Sequence, residues 1–156
     1  MALPGMPPVV HPLFVHFAIT LIPASAAFAL WYAWRRTAWT RPAAYALMTA
    51  AALLSLLAMG TGFRDYFAVK PHLEGNAAFD VLETHELLGV VTALTVAITA
   101  AIAWWRRADV AVKPAWRWAL AVALAGATLL VLVTAWYGGS LVYDHGVAVT
   151  DTTPGA

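Results

Sequence analysis

Four long apolar runs dominate this chain of 156 residues and constrain its fold more than any other feature. Each run has about 20 residues, the length that an α-helix needs to cross the hydrocarbon core of a bilayer. The chain is 62% hydrophobic and 11% charged, whereas water-soluble domains are close to half apolar and a quarter charged. The sequence therefore predicts an all-α integral membrane protein that contacts the lipid bilayer through its helices.

The ends of the apolar runs predict the helix boundaries. We expect four transmembrane helices at about 12–34, 42–63, 77–105 and 114–137, the first three ending in charged pairs such as Arg35-Arg36. They should form a single domain over residues 1–150, a four-helix bundle of up-down-up-down order, followed by a disordered tail at 151–156. The N-terminus MALPGMPPVV lacks a basic stretch. We therefore expect the first helix to serve as an uncleaved insertion signal.

Basic residues predict the orientation of the bundle. The loops after the first and third helices, with the start of the fourth, hold seven of the nine basic residues: Arg35, Arg36, Arg41, Arg106, Arg107, Lys113 and Arg117. Because short cytoplasmic loops are enriched in Lys and Arg, these two loops should be cytoplasmic. Both termini are then predicted on the outer, periplasmic side of a bacterial inner membrane.

Five histidines, all toward the predicted outer edge of the bundle, are the candidate functional residues. They are His11, His16, His72, His85 and His145. Ionisable groups in a bilayer are costly, so they mark functional sites by default, and neutral imidazole is a common ligand of metals and haem iron. His72 follows Pro71 in a predicted polar loop, where we expect it to be solvated.

Depth along the helices predicts which histidines pair. His16 lies 18 residues before Trp34, and His85 lies 20 residues before Trp105, which are rises of roughly 27 and 30 Å. His16 and His85 should therefore lie at the same depth, just inside the outer interface. We expect them to be the axial ligands of a cofactor.

The remaining two histidines are expected nearer the surface. His11 precedes Pro12 at the predicted helix start, and it lies five residues before His16, about 140° around the helix. A turn at Gly138-Gly139 is expected to fold His145 back over the bundle. His11 and His145 would then form a second ligand pair or support the first.

A b-type haem is the cofactor that suits two imidazoles from facing helices, with Arg64 or Lys70 near its propionates. The sequence thus favours a membrane electron-transfer protein of cytochrome b type. The alternative is copper, zinc or non-haem iron held by three or four ligands, drawn from His11, His16, His85, His145 and Asp65. Carboxylates that could orient a ligating histidine are Asp65, Glu83, Glu86 and Asp144.

Composition excludes several other classes of function. Cysteine is absent, which excludes disulfides, thiolate zinc sites, iron–sulfur clusters and covalently attached haem. A net charge of +1 gives no indication of nucleic-acid binding. No serine nucleophile motif or phosphate-binding loop indicates a hydrolase or transferase, so enzymatic activity is left open. A third hypothesis is a structural or assembly subunit of a larger membrane complex. The expected partners are a redox protein or membrane subunit at the outer face, or further copies of this chain.

Three sequence blocks resemble the signatures of a known family. HPLFVHFAITL, TGFRDYF and GGSLVYDHGVAV are similar to blocks of a bacterial family of four-helix membrane proteins of unknown function. The resemblance covers nearly the whole chain, and the closing Gly-Gly-x-Leu-Val-Tyr-x-His-Gly is its most specific part. The matching positions are His11, Pro12, His16, Asp65, His85, Gly138, Gly139, Tyr143, His145 and Gly146.

The resemblance implies four spans and a joint role for His11, His16, His85 and His145, and it adds Tyr143 to the candidate cofactor-binding residues. One block departs from the family pattern, since His16-Phe17 is followed here by Ala18 instead of proline. Four-helix cytochromes that bind haem b are similar in architecture alone.

Overall fold

The computed structural model describes residues 10–147, and within that range all regular structure is helical. Four helices are long and apolar enough to cross a membrane, so the chain is a multi-pass membrane protein. They are α1 (His11–Arg35), α2 (Thr40–Leu73), α3 (Ala78–Trp105) and α5 (Pro114–Tyr143), and a short helix, α4 (Arg107–Val112), joins the last two. The predicted tail at 151–156 lies outside the described residues.

The four long helices form a bundle in which α1 and α3 occupy one diagonal. Both α1 and α3 pack against α2 and α5. Small side chains let the backbones approach closely, as expected where helices associate in lipid. The central core combines them with a few larger residues: Ile22, Met48, Val96 and Leu124 are fully buried among buried alanines.

Contacts between neighbouring helices define the two ends of the bundle. At one end, which we call the histidine end, His11 at the start of α1 contacts Ala58 on α2. At the other, the arginine end, the Tyr45 hydroxyl donates to the Ala103 carbonyl at 3.0 Å. The α4 segment lies at the arginine end, where Asp109 pairs with Lys113 at 2.7 Å. The hydrogen bond from Lys113, together with Arg106, holds the pKa of the Asp109 carboxyl below its ordinary value.

The second helix extends ten residues beyond the end of its apolar run. It was expected to end near residue 63, but it continues through Arg64 and past Pro71 to Leu73. Charged residues end the lipid-compatible run without ending the helix. The extension is held to α3 because Lys70 donates to Glu83 of α3 at 3.2 Å. Lys70 also donates to the Tyr66 hydroxyl of its own helix at 2.9 Å. The turn to α3 is made by Gly75, whose φ of 83° is in the left-handed region.

The last long helix also continues further than predicted. A turn was expected at Gly138-Gly139, yet both glycines are helical and α5 ends at Tyr143. The chain leaves the helix at Gly146, whose φ is 63°, and the Val147 amide donates back to the Leu141 carbonyl at 2.9 Å. Neither glycine reverses the chain, and Gly138 instead permits the close approach of a side chain from α3.

Candidate functional site

Two histidines meet inside the histidine end of the bundle, and they come from the diagonal helices α1 and α3. The ring centroids of His11 and His85 lie 6.2 Å apart, with the ring planes at 80°. His11 is the first residue of α1, whereas His85 lies in the second turn of α3. Both rings are partly buried.

Each ring is fixed by a backbone carbonyl of an adjacent helix. The His11 Nδ1 lies 2.9 Å from the Ala58 carbonyl oxygen on α2, and the His85 Nδ1 lies 3.0 Å from the Thr134 carbonyl oxygen on α5. A carbonyl oxygen can accept a hydrogen bond but not donate one, so both Nδ1 atoms carry the hydrogen. In neutral imidazole the other nitrogen, Nε2, then keeps its lone pair and is able to bind a metal.

A glycine lies beside each ring. A Cβ atom built on Gly62 of α2 would lie 3.0 Å from the His11 Cε1, and one built on Gly138 of α5 would lie 2.8 Å from the His85 Cε1. Both glycines stand four residues after the carbonyl that bonds the ring, Ala58 and Thr134 respectively. Residues four apart lie on the same helix face. A side chain at either glycine would therefore occupy the space of the imidazole.

Cavities extend from the histidine pair in two directions. An inner cavity of about 60 Å³ is lined by His11 and His85 together with Ser55, Gly89 and other residues of all four long helices. A larger cavity of about 390 Å³ is also lined by both histidines, and it continues along α1 and α5 to Tyr143. The volume of the larger cavity is within the range of small-molecule sites, and its walls are mostly apolar.

Polar atoms without partners border these cavities. The Ser55 Oγ, on a residue that is 3% exposed, and one carboxylate oxygen of Asp65 are buried without a hydrogen bond among the described residues. Ser55 lines the inner cavity and Asp65 lines the larger one. Buried polar atoms are normally paired, so these two are available to a bound group or to water. Glu86, which lines both cavities, adds a carboxylate next to the pair.

The structure pairs His85 with His11, where the sequence reasoning paired it with His16. His16 is exposed on the outside of the bundle, and its Nδ1 bonds the Pro12 carbonyl of its own helix. The rotation between His11 and His16 explains the difference: when one faces the interior, the other faces the surroundings. His16 contributes to the wall of the larger cavity but does not accompany His85.

The other candidates do not join the histidine pair. His145 is exposed, two residues beyond α5, because the expected turn at Gly138-Gly139 is absent. Tyr143 lines the larger cavity although it is 89% exposed. Arg64 is exposed on α2, and His72 is exposed as expected.

A metal site with several protein ligands is not present in residues 10–147. Among them, no group of three or more His, Cys, Asp or Glu side chains is placed to hold a metal ion. The alternative set of three or four ligands is therefore not assembled. His11 and His85 are together, whereas His16 and His145 point elsewhere.

Sequence reasoning missed the two glycine contacts and assigned no role to Ser55. Gly138 was interpreted as part of a turn, and Gly62 received no role. The available signal was spacing: Gly62 and Gly138 each lie among small residues of α2 and α5 that face the interior. Close approach of another group is a common reason for glycine inside a helix.

Comparison with known proteins gives a family without an assigned activity. The family described as "Predicted membrane protein (DUF2231)" matches residues 7–151. The chain belongs to this family, which confirms the resemblance inferred from the sequence blocks. Neither the curated proteins nor the solved structures contain a match to the chain.

Proposed function

We propose that this member of the DUF2231 family is a membrane cytochrome that binds haem b through His11 and His85. The observation that supports the proposal most is the pair itself: two imidazoles on diagonal helices, each held through Nδ1 and each without a hydrogen bond to Nε2 among residues 10–147. Ligating histidines characteristically donate their other ring N–H to a carbonyl or carboxylate. Cofactor sites of helical bundles are built in this way, from facing helices.

The number of protein ligands favours haem over a bare metal ion. Two histidines complete the coordination of haem iron, because the macrocycle supplies the other ligands. A copper, zinc or non-haem iron site needs more ligands from the protein. Two imidazoles bound to opposite sides of one metal, with nitrogens about 2 Å from it, have ring centroids roughly 6 Å apart. The observed separation of 6.2 Å is close to this value, although two rings in edge contact without a metal have the same spacing.

The surroundings of the histidine pair also suit a haem. The larger cavity beside the histidines, of about 390 Å³ and with mostly apolar walls, offers space to part of a flat hydrophobic macrocycle. Glycine at positions 62 and 138 leaves the rings room, and the unpaired Ser55 and Asp65 oxygens provide polar contacts at the edges. When bound, haem supplies a reversible one-electron change at its iron. The protein holds the two nitrogens in place and limits the access of water.

We further propose that the site faces the outside of a bacterial inner membrane. Helix contacts support an up-down-up-down order, since His11 at the start of α1 meets Ala58 in the second half of α2, and Tyr45 near the start of α2 meets Ala103 near the end of α3. The concentration of basic residues at the arginine end supports a cytoplasmic position for that end. Both termini and the histidine pair are then periplasmic. Electrons would pass to or from a redox partner at that face.

An optical spectrum of the purified protein tests the proposal. The protein should be expressed with ample haem supply, extracted in mild detergent, and recorded oxidised and reduced, with haem and metals quantified. We expect a Soret band, sharpened α and β bands on reduction, and stoichiometric non-covalent haem. Protein that is folded and free of haem under these conditions would refute the proposal, and a role in complex assembly would then be favoured.

A further inference from the structure

We infer that Gly62 and Gly138 are the positioning residues of the histidine pair, acting as two copies of one local arrangement. The inference deepens the proposed function and rests on it where haem is concerned. In each copy, a histidine on one helix donates to a carbonyl of the next helix, and a glycine four residues further along provides the space for the ring. The first copy comprises His11, Ala58 and Gly62, and the second comprises His85, Thr134 and Gly138.

The two copies divide the bundle into matching halves. The first copy joins α1 to α2, and the second joins α3 to α5. Each histidine lies in the first part of its helix, and each glycine lies in the second half of the next long helix, α2 or α5. The first and third helices both end in Trp-Arg-Arg, in keeping with the same division. The site is thus formed where two equivalent helical hairpins face each other.

The helix geometry explains why glycine is needed. A carbonyl in a helix points along the axis toward the residue four positions later, whose side chain flanks it. An imidazole that donates to this carbonyl from the neighbouring helix must pass over that position. With alanine at 138, the methyl carbon would lie 2.8 Å from the His85 Cε1 and 3.2 Å from its Nδ1. These contacts are too short, so the ring must shift and weaken its bond to Thr134.

The same substitution at Gly62 should have a smaller effect. Its methyl carbon would lie 3.0 Å from the His11 Cε1 and 3.3 Å from its Nδ1. The chain offers a matched control in each helix. A Cβ atom at Gly60 of α2 or at Gly126 of α5 would meet nothing within 4 Å. Alanine at these positions changes helix propensity in the same way without touching a histidine.

The experiment compares Gly138→Ala and Gly62→Ala with Gly126→Ala and Gly60→Ala in two measurements. The first is the tautomer of each histidine in the haem-free protein, observed by ¹⁵N NMR in detergent micelles. We expect the Nδ1–H form for both rings in the wild type and the controls. Gly138→Ala should lose this signature at His85 and keep it at His11, whereas Gly62→Ala should do the reverse.

The second measurement is haem affinity, by titration of the haem-free protein. Altering a partner that orients a metal ligand typically lowers metal affinity about 10- to 100-fold, and we expect Gly138→Ala to fall in this range with Gly62→Ala less affected. If the wild type does not bind haem, the proposed function fails, and the NMR comparison still decides the role of the glycines. If both variants keep the tautomers of their controls, the inference is wrong. Should Gly138→Ala fail to fold, the milder Gly62→Ala decides by the same criteria.

Discussion

Individual histidines of this chain differ in role according to the direction in which each side chain points. His11 and His85 lie inside the bundle, and each uses one nitrogen to satisfy a carbonyl. His16 is only five residues from His11, yet it is exposed and bonds its own helix. A polar group in an apolar setting is costly without a partner. The interior pair is satisfied at Nδ1 and retains its capacity for a ligand at Nε2.

The residue types of the site were predictable from the sequence, and the pairing was not. Counting rise along the helices placed His16 at the depth of His85, because five residues change the depth by only about 7.5 Å. The angular position of each histidine around its helix axis decides which of them faces the interior. The exclusion of cysteine ligands needed composition alone, whereas the carbonyl partners Ala58 and Thr134 depend on helix packing that no local pattern encodes.

A substitution at Ser55 tests whether its hydroxyl has a structural partner within the protein. Its buried hydroxyl has no hydrogen bond among the described residues, whereas the buried hydroxyl of Ser25 donates to the Ile22 carbonyl at 2.7 Å. We expect Ser55→Ala to leave the stability of the haem-free protein unchanged or raise it by up to about 1 kcal/mol, since an unpaired buried hydroxyl is removed.

The matched variant Ser25→Ala should lower the stability, because it deletes a satisfied hydrogen bond. Unfolding by SDS in mixed micelles measures both changes. A larger loss for Ser55→Ala than for Ser25→Ala would show that the Ser55 hydroxyl has a structural partner.

At the scale of helices, the spacing of the buried residues identifies the interior face of each helix, which depth along the helix does not. In α1 the buried residues include Ala18, Ile22 and Ala29, and steps of seven or eleven residues back from Ala18 and Ile22 arrive at His11. In α3 the same steps back from Thr92 and Val96 arrive at His85. The interior face of α1 therefore contains His11, and the interior face of α3 contains His85.

Helix boundaries were predicted to within two residues, except where α2 and α5 end. The apolar runs define the membrane-spanning part, and α3 and α5 begin within one residue of the predicted positions. The ends of α2 and α5 extend further, because Arg64, Lys70 and the glycines at 138 and 139 are compatible with a helix when tertiary contacts support it. Hydropathy cannot report those contacts.

Tyr45 tests the packing of α2 on α3. Its buried hydroxyl donates to the Ala103 carbonyl at 3.0 Å, and its ring meets Trp104 edge to face at 5.1 Å. Tyr45→Phe keeps the ring and deletes the hydrogen bond. Hydrogen bonds between membrane helices average about 0.6 kcal/mol and reach about 1.7 kcal/mol, so we expect a loss of stability in this range.

Unfolding in mixed micelles again provides the measurement, with Tyr143→Phe as the control because Tyr143 is 89% exposed. An equal effect of the two substitutions would contradict the assigned role of the Tyr45 hydroxyl.

The whole molecule is a small bundle with one chemically distinctive end. Composition and four apolar runs were sufficient to predict an all-helical membrane protein, because a bilayer permits so few alternatives. The diagonal placement of α1 and α3 brings His11 and His85 together, and it required the three-dimensional packing. All candidate ligands lie at the histidine end. An electron path across the membrane would therefore need a second protein.

Orientation in the membrane is testable because the chain has no cysteine. A single cysteine is introduced at Glu74, exposed between α2 and α3, or at Ala108, exposed on α4. We expect Glu74→Cys to react with a membrane-impermeant maleimide in intact spheroplasts, because the histidine end is proposed to be periplasmic. Ala108→Cys should react after the membrane is permeabilised. The reverse pattern would invert the proposed orientation.

The central claim is that His11 and His85, and not His16, hold haem. The most direct measurement is the haem content and Soret absorbance of His11→Ala, His85→Ala and His16→Ala, purified alongside the wild type under haem-replete conditions, with helicity confirmed by circular dichroism. We predict that the first two variants lose the wild-type spectrum and most of their haem, and that His16→Ala keeps both. Folded His11→Ala or His85→Ala protein with an unchanged spectrum, or loss of haem in His16→Ala, would contradict the claim.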